Sequence, residues 1–240
     1  MSDNEICYMS ATELSKNYRE KNLSPVEVIK ALISRAESIN SKLNAFTYTF
    51  YEEALDNAKK AEEKFLSKSS NPRLLEGIPV GIKDIFDTED MPTLDGSEAH
   101  KKNPSLNDCT VVSKLKQAGA VIMGKTVTCE LAYYSPGKTK NPHDLKRTPG
   151  GSSSGSAAAV ASHMVPLAVG SQTNGSVIRP ASYCGVVGYK PTKGLISRHL
   201  VMQISRTLDH VGVFANSVED AALISEQLIG YDKQDPDTSL

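Results

Sequence analysis

Two stretches rich in glycine and serine place hydroxyl groups on turns next to secondary structure, where a nucleophile can act. One runs from Thr148 into an alanine-rich segment that ends at Ala161, and alanine is the strongest helix former. The other spans residues 170–188 and follows an apolar run. A serine among free backbone amides is what acyl transfer requires, since a nucleophile then lies beside an oxyanion hole.

Other interpretations of the first stretch are weaker. A flexible linker shares its composition, but linkers do not lead into strongly helix-forming residues. Glycine-rich turns at helix N-termini also bind phosphate. The lysine of the GxxxxGK[ST] pattern is absent here, so a phosphate-binding loop is disfavoured.

Lys83 ends the apolar run that begins at Gly77. The ordinary interpretation of such a lysine is a side chain that extends into solvent. If it is buried instead, its pKa falls, because loss of hydration disfavours the ammonium form. A neutral lysine could then take the proton from a serine hydroxyl, which is a poor nucleophile until it is deprotonated.

The elements that position these groups change character along the chain. Capping boxes at Ser10 and Ser24 and a helix from Glu52 to Leu66 predict a helical N-terminal segment over residues 1–66. Short apolar runs then alternate with helical segments, so residues 67–240 are predicted to form an α/β core of the same domain. The predicted core strands are residues 78–82, 120–123, 165–169 and 185–189, and the predicted core helices are residues 111–117 and 217–228.

These pieces together resemble the amidase-signature family, from about Ser10 to about Gly230. The resemblance implies a mixed β-sheet covered by helices. By motif, it makes Ser176 the nucleophile, Ser152 a bridging serine beside a cis peptide bond, and Lys83 the base. It further implies an amidohydrolase that cleaves a linear carboxylic amide of small size through a serine acyl-enzyme, with no metal or organic cofactor.

The same resemblance assigns the oxyanion hole to backbone amides at Thr173, Asn174 and Gly175, together with that of the serine that follows. The commonest family pattern has an aspartate and two glycines before this serine, then isoleucine and arginine. Here the corresponding residues are Gln172, Asn174, Val177 and Ile178.

Two hypotheses follow from these departures. A supporting salt bridge has been replaced, with Arg179 taking a different role, and Asn174 adopts a positive φ in place of glycine. The loop is also less similar to that of the glutamyl-tRNA(Gln) amidotransferase A-type subunit, which keeps the acidic form. That function therefore ranks below a free-standing amidase.

Family members are about twice as long as these 240 residues, so we expect an incomplete fold, truncated relative to the family. A second hypothesis is therefore a catalytically silent fragment, or an interaction module that depends on a partner. In that case a completing partner chain or a homo-oligomer would finish the sheet.

Composition restricts the partners. The formal net charge is −1 and no charged block stands out, so neither nucleic acid nor membrane is expected as a partner. The N-terminus is polar and no apolar run could cross a bilayer, which predicts a cytoplasmic protein. The scattered cysteines are expected to be reduced packing residues. A Ser-His-Asp site is disfavoured, because no GxSxG motif accompanies the five histidines.

Overall fold

The computed structural model describes residues 2–100 and 103–238. Helices and strands alternate through most of this part of the chain. The helices are α1 (Asp3–Cys7), α2 (Ala11–Glu20), α3 (Pro25–Leu43), α4 (Tyr51–Leu66), α5 (Thr110–Ala118), α6 (Ser154–Ala161), α7 (Ile178–Cys184) and α8 (Val218–Leu228). The strands are β1 (Phe46–Thr49), β2 (Pro79–Lys83), β3 (Val121–Thr126), β4 (Leu167–Gln172), β5 (Val187–Tyr189) and β6 (His210–Ala215).

The N-terminal helices begin where their capping residues predict. The Ser10 hydroxyl accepts a hydrogen bond from the Glu13 amide, and the Glu13 carboxylate accepts one from the Ser10 amide. Ser24 forms the same reciprocal cap at the start of α3, which has Pro25 in its first turn. One element of this interval was not predicted from the sequence. Strand β1 lies within residues 1–66 and pairs with β3 of the core sheet.

The six strands form one mixed sheet in the order β1-β3-β2-β4-β6-β5. The central strands β3, β2 and β4 are parallel, while β1, β6 and β5 join antiparallel. Every residue of β2 and β3 is buried, which explains the short apolar runs at residues 78–82 and 120–123 of the sequence. The expected mixed α/β fold is therefore confirmed.

Helix α6 holds the first serine-rich turn against the centre of this sheet. It contacts β2, β3, β4 and β6, and its residues from Ser154 to Val160 are buried. Such close contact requires small side chains. A Cβ on Gly155 would lie 2.3 Å from the Ala45 carbonyl oxygen, so only glycine fits there. No helix in the described ranges has the length and apolarity to span a membrane.

Candidate active site

Lys83 is the last residue of β2, and its side chain is fully buried. Its Nζ donates hydrogen bonds to the hydroxyls of Ser152 and Ser171, both at 2.8 Å. Burial lowers the pKa of Lys83 to about 7, because the ammonium form is poorly solvated there. Near neutral pH the amine and the ammonium forms therefore coexist.

Ser152 lies on the turn before α6, and the peptide bond between Gly151 and Ser152 is cis, as the resemblance implies. Its carbonyl oxygen accepts hydrogen bonds from the amides of Cys129 and Ser154 at 3.0 and 2.8 Å. Gly151 leaves no room for a side chain, because a Cβ there would lie 2.6 Å from the Cys129 sulfur. The backbone on both sides of the Ser152 hydroxyl is thus held in place.

Ser176 follows β4, and its backbone carbonyl accepts a hydrogen bond from the Ser153 amide at 3.3 Å. Ser176 and Ser152 line one cavity of about 240 Å³. Within the described residues, the Ser176 hydroxyl has no hydrogen-bond partner. The structure thus brings Lys83 and Ser152 into direct contact and places Ser176 on the same cavity as Ser152, without a bond between the two serine hydroxyls.

These groups meet because parallel strands end at one edge of the sheet. β2 and β4 are parallel neighbours, with Ile82 in register with Val169. Lys83 therefore ends its strand near the loop that follows β4. The carboxyl ends of parallel strands are the usual place for a ligand site in an α/β sheet.

The loop after β4 exposes backbone donors to the cavity. Among the described residues, no acceptor is bound by the amides of Thr173, Asn174, Gly175 or Ser176. Thr173 and Asn174 line the cavity, whereas Gly175 does not. The expectation of a positive φ at Asn174 is wrong, since this residue lies outside that region of backbone space. An asparagine therefore replaces glycine here without conformational cost.

Gln172 stands at the position where the common family pattern has an aspartate, and its side chain bonds the loop that follows. Its side chain is buried, and its Oε1 accepts hydrogen bonds from the amides of Val177 and Ile178, both at 3.0 Å. A neutral carbonyl oxygen thus stabilises the turn into α7. Arg179 pairs with no acidic side chain in the described ranges, so the hypothesis that it takes a role other than a salt bridge stays open.

Two residues at the site were not identified from the sequence. Ser171 is the second hydroxyl bound by Lys83, but one more serine in a serine-rich chain gives no local signal. Asp209 accepts a hydrogen bond from the Thr173 hydroxyl, and its other oxygen accepts the amides of Ile204 and Ser205 at 2.7 and 2.8 Å.

Other candidate groups lie away from this chemistry. All four cysteines are buried and free, as expected. No histidine ring in the described part of the chain bonds a serine hydroxyl, and no cluster suited to a metal ion occurs there. Tyr133 and Tyr134 line the cavity and are 62% and 71% exposed, so they belong to its wall rather than to the core.

Comparisons with known proteins agree with this geometry. A family model described as Amidase matches residues 27–240. A protein of Carboxydothermus hydrogenoformans, named as the A-type subunit of glutamyl-tRNA(Gln) amidotransferase, is 41% identical over 237 residues, covering 96% of this chain and 49% of that protein. This chain therefore spans about half the length of that curated relative.

Solved structures share the fold. The native peptide amidase of Stenotrophomonas maltophilia superposes with a TM-score of 0.91 at 31% identity, covering 96% of this chain and 50% of that one. A second structure is described as a vestigial protein complex that reveals the evolutionary origins of an s-triazine catabolic enzyme. It superposes with a TM-score of 0.92 at 36% identity, covering 97% of this chain and 52% of that one. The matched family model spans most of the sequence, and on this ground the chain belongs to the amidase family.

Proposed function

We propose that this chain carries the catalytic centre of an amidohydrolase, which cleaves a linear carboxylic amide through an acyl-enzyme on Ser176. The observation that carries the proposal is the buried Lys83, whose pKa is about 7 and whose Nζ lies 2.8 Å from the Ser152 hydroxyl. A base is effective when its pKa lies near the working pH. Ser152 in turn shares a cavity with Ser176.

In the first step the Ser176 oxygen attacks the amide carbonyl carbon. The Ser176 proton passes to Ser152, whose own proton passes to the neutral amine of Lys83. The carbonyl oxygen becomes an oxyanion, and the unbonded amides of Thr173 to Ser176 are its donors. Each such donor contributes about 2.7–4 kcal/mol of transition-state stabilisation.

Collapse of this intermediate breaks the carbon–nitrogen bond. The Lys83 ammonium returns its proton through Ser152 to the leaving nitrogen, so ammonia or an amine departs and an ester remains on Ser176. Water then attacks the ester by the same proton route and releases the carboxylic acid. The absent Ser176–Ser152 hydrogen bond is consistent with this route, because catalytic hydrogen bonds are often long before substrate binds.

Covalent labelling by a fluorophosphonate, followed by intact-mass measurement, tests the proposal on the chain as it exists. We expect one adduct on the native chain and none on the S176A or K83M variants. S225A, which removes a buried hydroxyl of α8 remote from the cavity, is the matched control and should label normally. A folded native chain that takes no label would contradict the proposal.

A second candidate is the A-type subunit of a tRNA-dependent amidotransferase. It is favoured by the 41% identity to the protein of that name, against 31% to the peptide amidase. Ammonia release from L-glutamine, but not from simple aliphatic amides, would support it. Equal or better turnover of the aliphatic amides would support the free-standing amidase.

A third possibility, that additional polypeptide completes this fold, is suggested by the match to only half of each relative. Strand β5 is at the edge of the sheet, and the exposed aromatic side chains of Tyr133, Tyr134 and Tyr183 line the cavity. We propose that further polypeptide, in the same or a separate chain, packs on this face. Concentration-dependent association in sedimentation experiments would favour a separate partner or a second copy, whereas a monomer that labels fully would show that none is required.

A further inference from the structure

We infer that Arg179 binds a carboxylate of the substrate, so that the amide cleaved here carries an acidic group only a few bonds from its scissile carbonyl. This inference deepens the proposed function and rests on it. Three observations carry it: the position of the guanidinium, its lack of an ion-pair or hydrogen-bond partner in the described residues, and the uncharged residues that otherwise line the cavity.

Arg179 lies beside the loop after β4 that carries Ser176. Its backbone amide donates to the Gly175 carbonyl at 2.8 Å, which fixes the first turn of α7 next to the loop. The guanidinium then folds over Gly175, since a Cβ built on that glycine would lie 3.1 Å from a terminal Arg179 nitrogen. Gly175 directly precedes Ser176, and Arg179 and Ser176 line the same cavity.

This charge has no partner in the part of the chain that the structure describes. Arg179 takes part in no ion pair there, and its side chain donates no hydrogen bond there. Residues 170–189 contain no aspartate or glutamate, because Gln172 stands where the common family pattern has an acid. Each of the other arginines has a partner in the described ranges, either an acidic side chain, as Arg73 has in Glu76, or a backbone carbonyl, as Arg35 has in Ser162.

The cavity favours a small anionic ligand. Arg179 is the one charged residue among the described residues that line it, and the others are neutral polar, glycine, proline, cysteine or aromatic residues. A guanidinium offers five N–H donors in a planar fork that matches the two oxygens of a carboxylate. A short acid amide carries such a carboxylate and fits within the cavity volume of about 240 Å³.

The test compares two ligands of nearly equal shape. Succinamate carries a carboxylate, and 4-oxopentanamide replaces it with a neutral methyl ketone. Binding is measured by calorimetry on S176A, which cannot turn the amides over. We expect succinamate to bind at least about tenfold more tightly, as charge-assisted bidentate pairing implies.

Substitutions in the S176A background assign the preference to one residue. R179Q should abolish it, and R179K should keep part of it, because lysine retains the charge without the fork. R147Q is the matched control, since Arg147 is exposed, paired with Asp144 and outside the cavity lining. Equal binding of both ligands, or a preference that survives in R179Q, would overturn the inference.

Labelling separates this result from the proposed function. If succinamate binds through Arg179 while the native chain takes no fluorophosphonate, the acid-binding site stands and the hydrolase proposal fails. If the native chain labels on Ser176 but binds both ligands equally, the hydrolase stands and the acidic substrate class fails.

Discussion

At the scale of single residues, the candidate site depends on the protonation of one lysine. Lys83 has two hydroxyl acceptors at 2.8 Å and no carboxylate bonded to its Nζ among the described residues. A neutral amine can donate to one hydroxyl and accept from the other. Ser171 therefore has a definite task in the proposed mechanism, because it binds an N–H of Lys83 and leaves the lone pair facing Ser152.

The rate of fluorophosphonate labelling should follow the neutral form of Lys83. Its folded-state pKa is lowered to about 7 by burial, so the amine predominates above pH 7 and the ammonium below it. We expect the rate to be level above about pH 8 and to fall about tenfold per pH unit below pH 6. A rate that is independent of pH between 5 and 8 would exclude Lys83 as the base.

Replacing Ser171 should weaken the base without removing it. In S171A one acceptor of Lys83 is lost, and we expect labelling to slow about tenfold and its pH midpoint to move lower, because the ammonium loses a stabilising bond. S171T keeps the hydroxyl and should retain most of the rate. Loss of activity in both variants would indicate a packing defect instead.

At the scale of elements, the helices and strands that could be predicted are those specified by residues close together in the sequence. Helices α2 and α3 could be predicted because their caps lie within four residues of one another. Strands β1 and β6 were missed. β1 has only four residues and is specified by its pairing with β3, and β6 is specified by antiparallel pairing with β4 and β5. Pairing between distant segments leaves little trace in a local pattern.

The turn from β4 into α7 should depend on the Gln172 side chain. Q172A leaves the amides of Val177 and Ile178 without their acceptor, and we expect a loss of about 1–3 kcal/mol in the free energy of unfolding. Urea titration measures this loss. Q234A, at an exposed position, is the control and should be neutral. An unchanged Q172A would mean that water replaces the lost acceptor.

At the scale of the whole molecule, the helical N-terminal segment is tied to the end of the described chain. Asp220 of α8 is fully buried and accepts hydrogen bonds from the amides of Ala11 and Thr12 at 2.8 and 2.9 Å. The first turn of α2 is thus held by a carboxylate more than two hundred residues away. This contact supports the proposal that residues 1–66 and 67–240 form one domain.

Asp220→Ala should therefore destabilise the whole chain in one transition. Several charge-assisted hydrogen bonds to buried groups are lost, and we expect a decrease of about 3 kcal/mol or more in the free energy of unfolding. Glu219→Ala, at the exposed neighbouring position, should change little. Two separate transitions in the D220A variant, one for each segment, would contradict the single domain.

The sequence by itself determined which side chains are candidates for chemistry, because the glycine and serine turns and the motif around Lys83 are local patterns. It also indicated the α/β class and the starts of the capped helices. Only the tertiary structure decided that Lys83 is buried, that Ser171 and Asp209 join the site, and that Arg179 lies unpaired over Gly175. Burial and charge pairing depend on segments that are far apart in the chain and come together only when the sheet and its helices have formed.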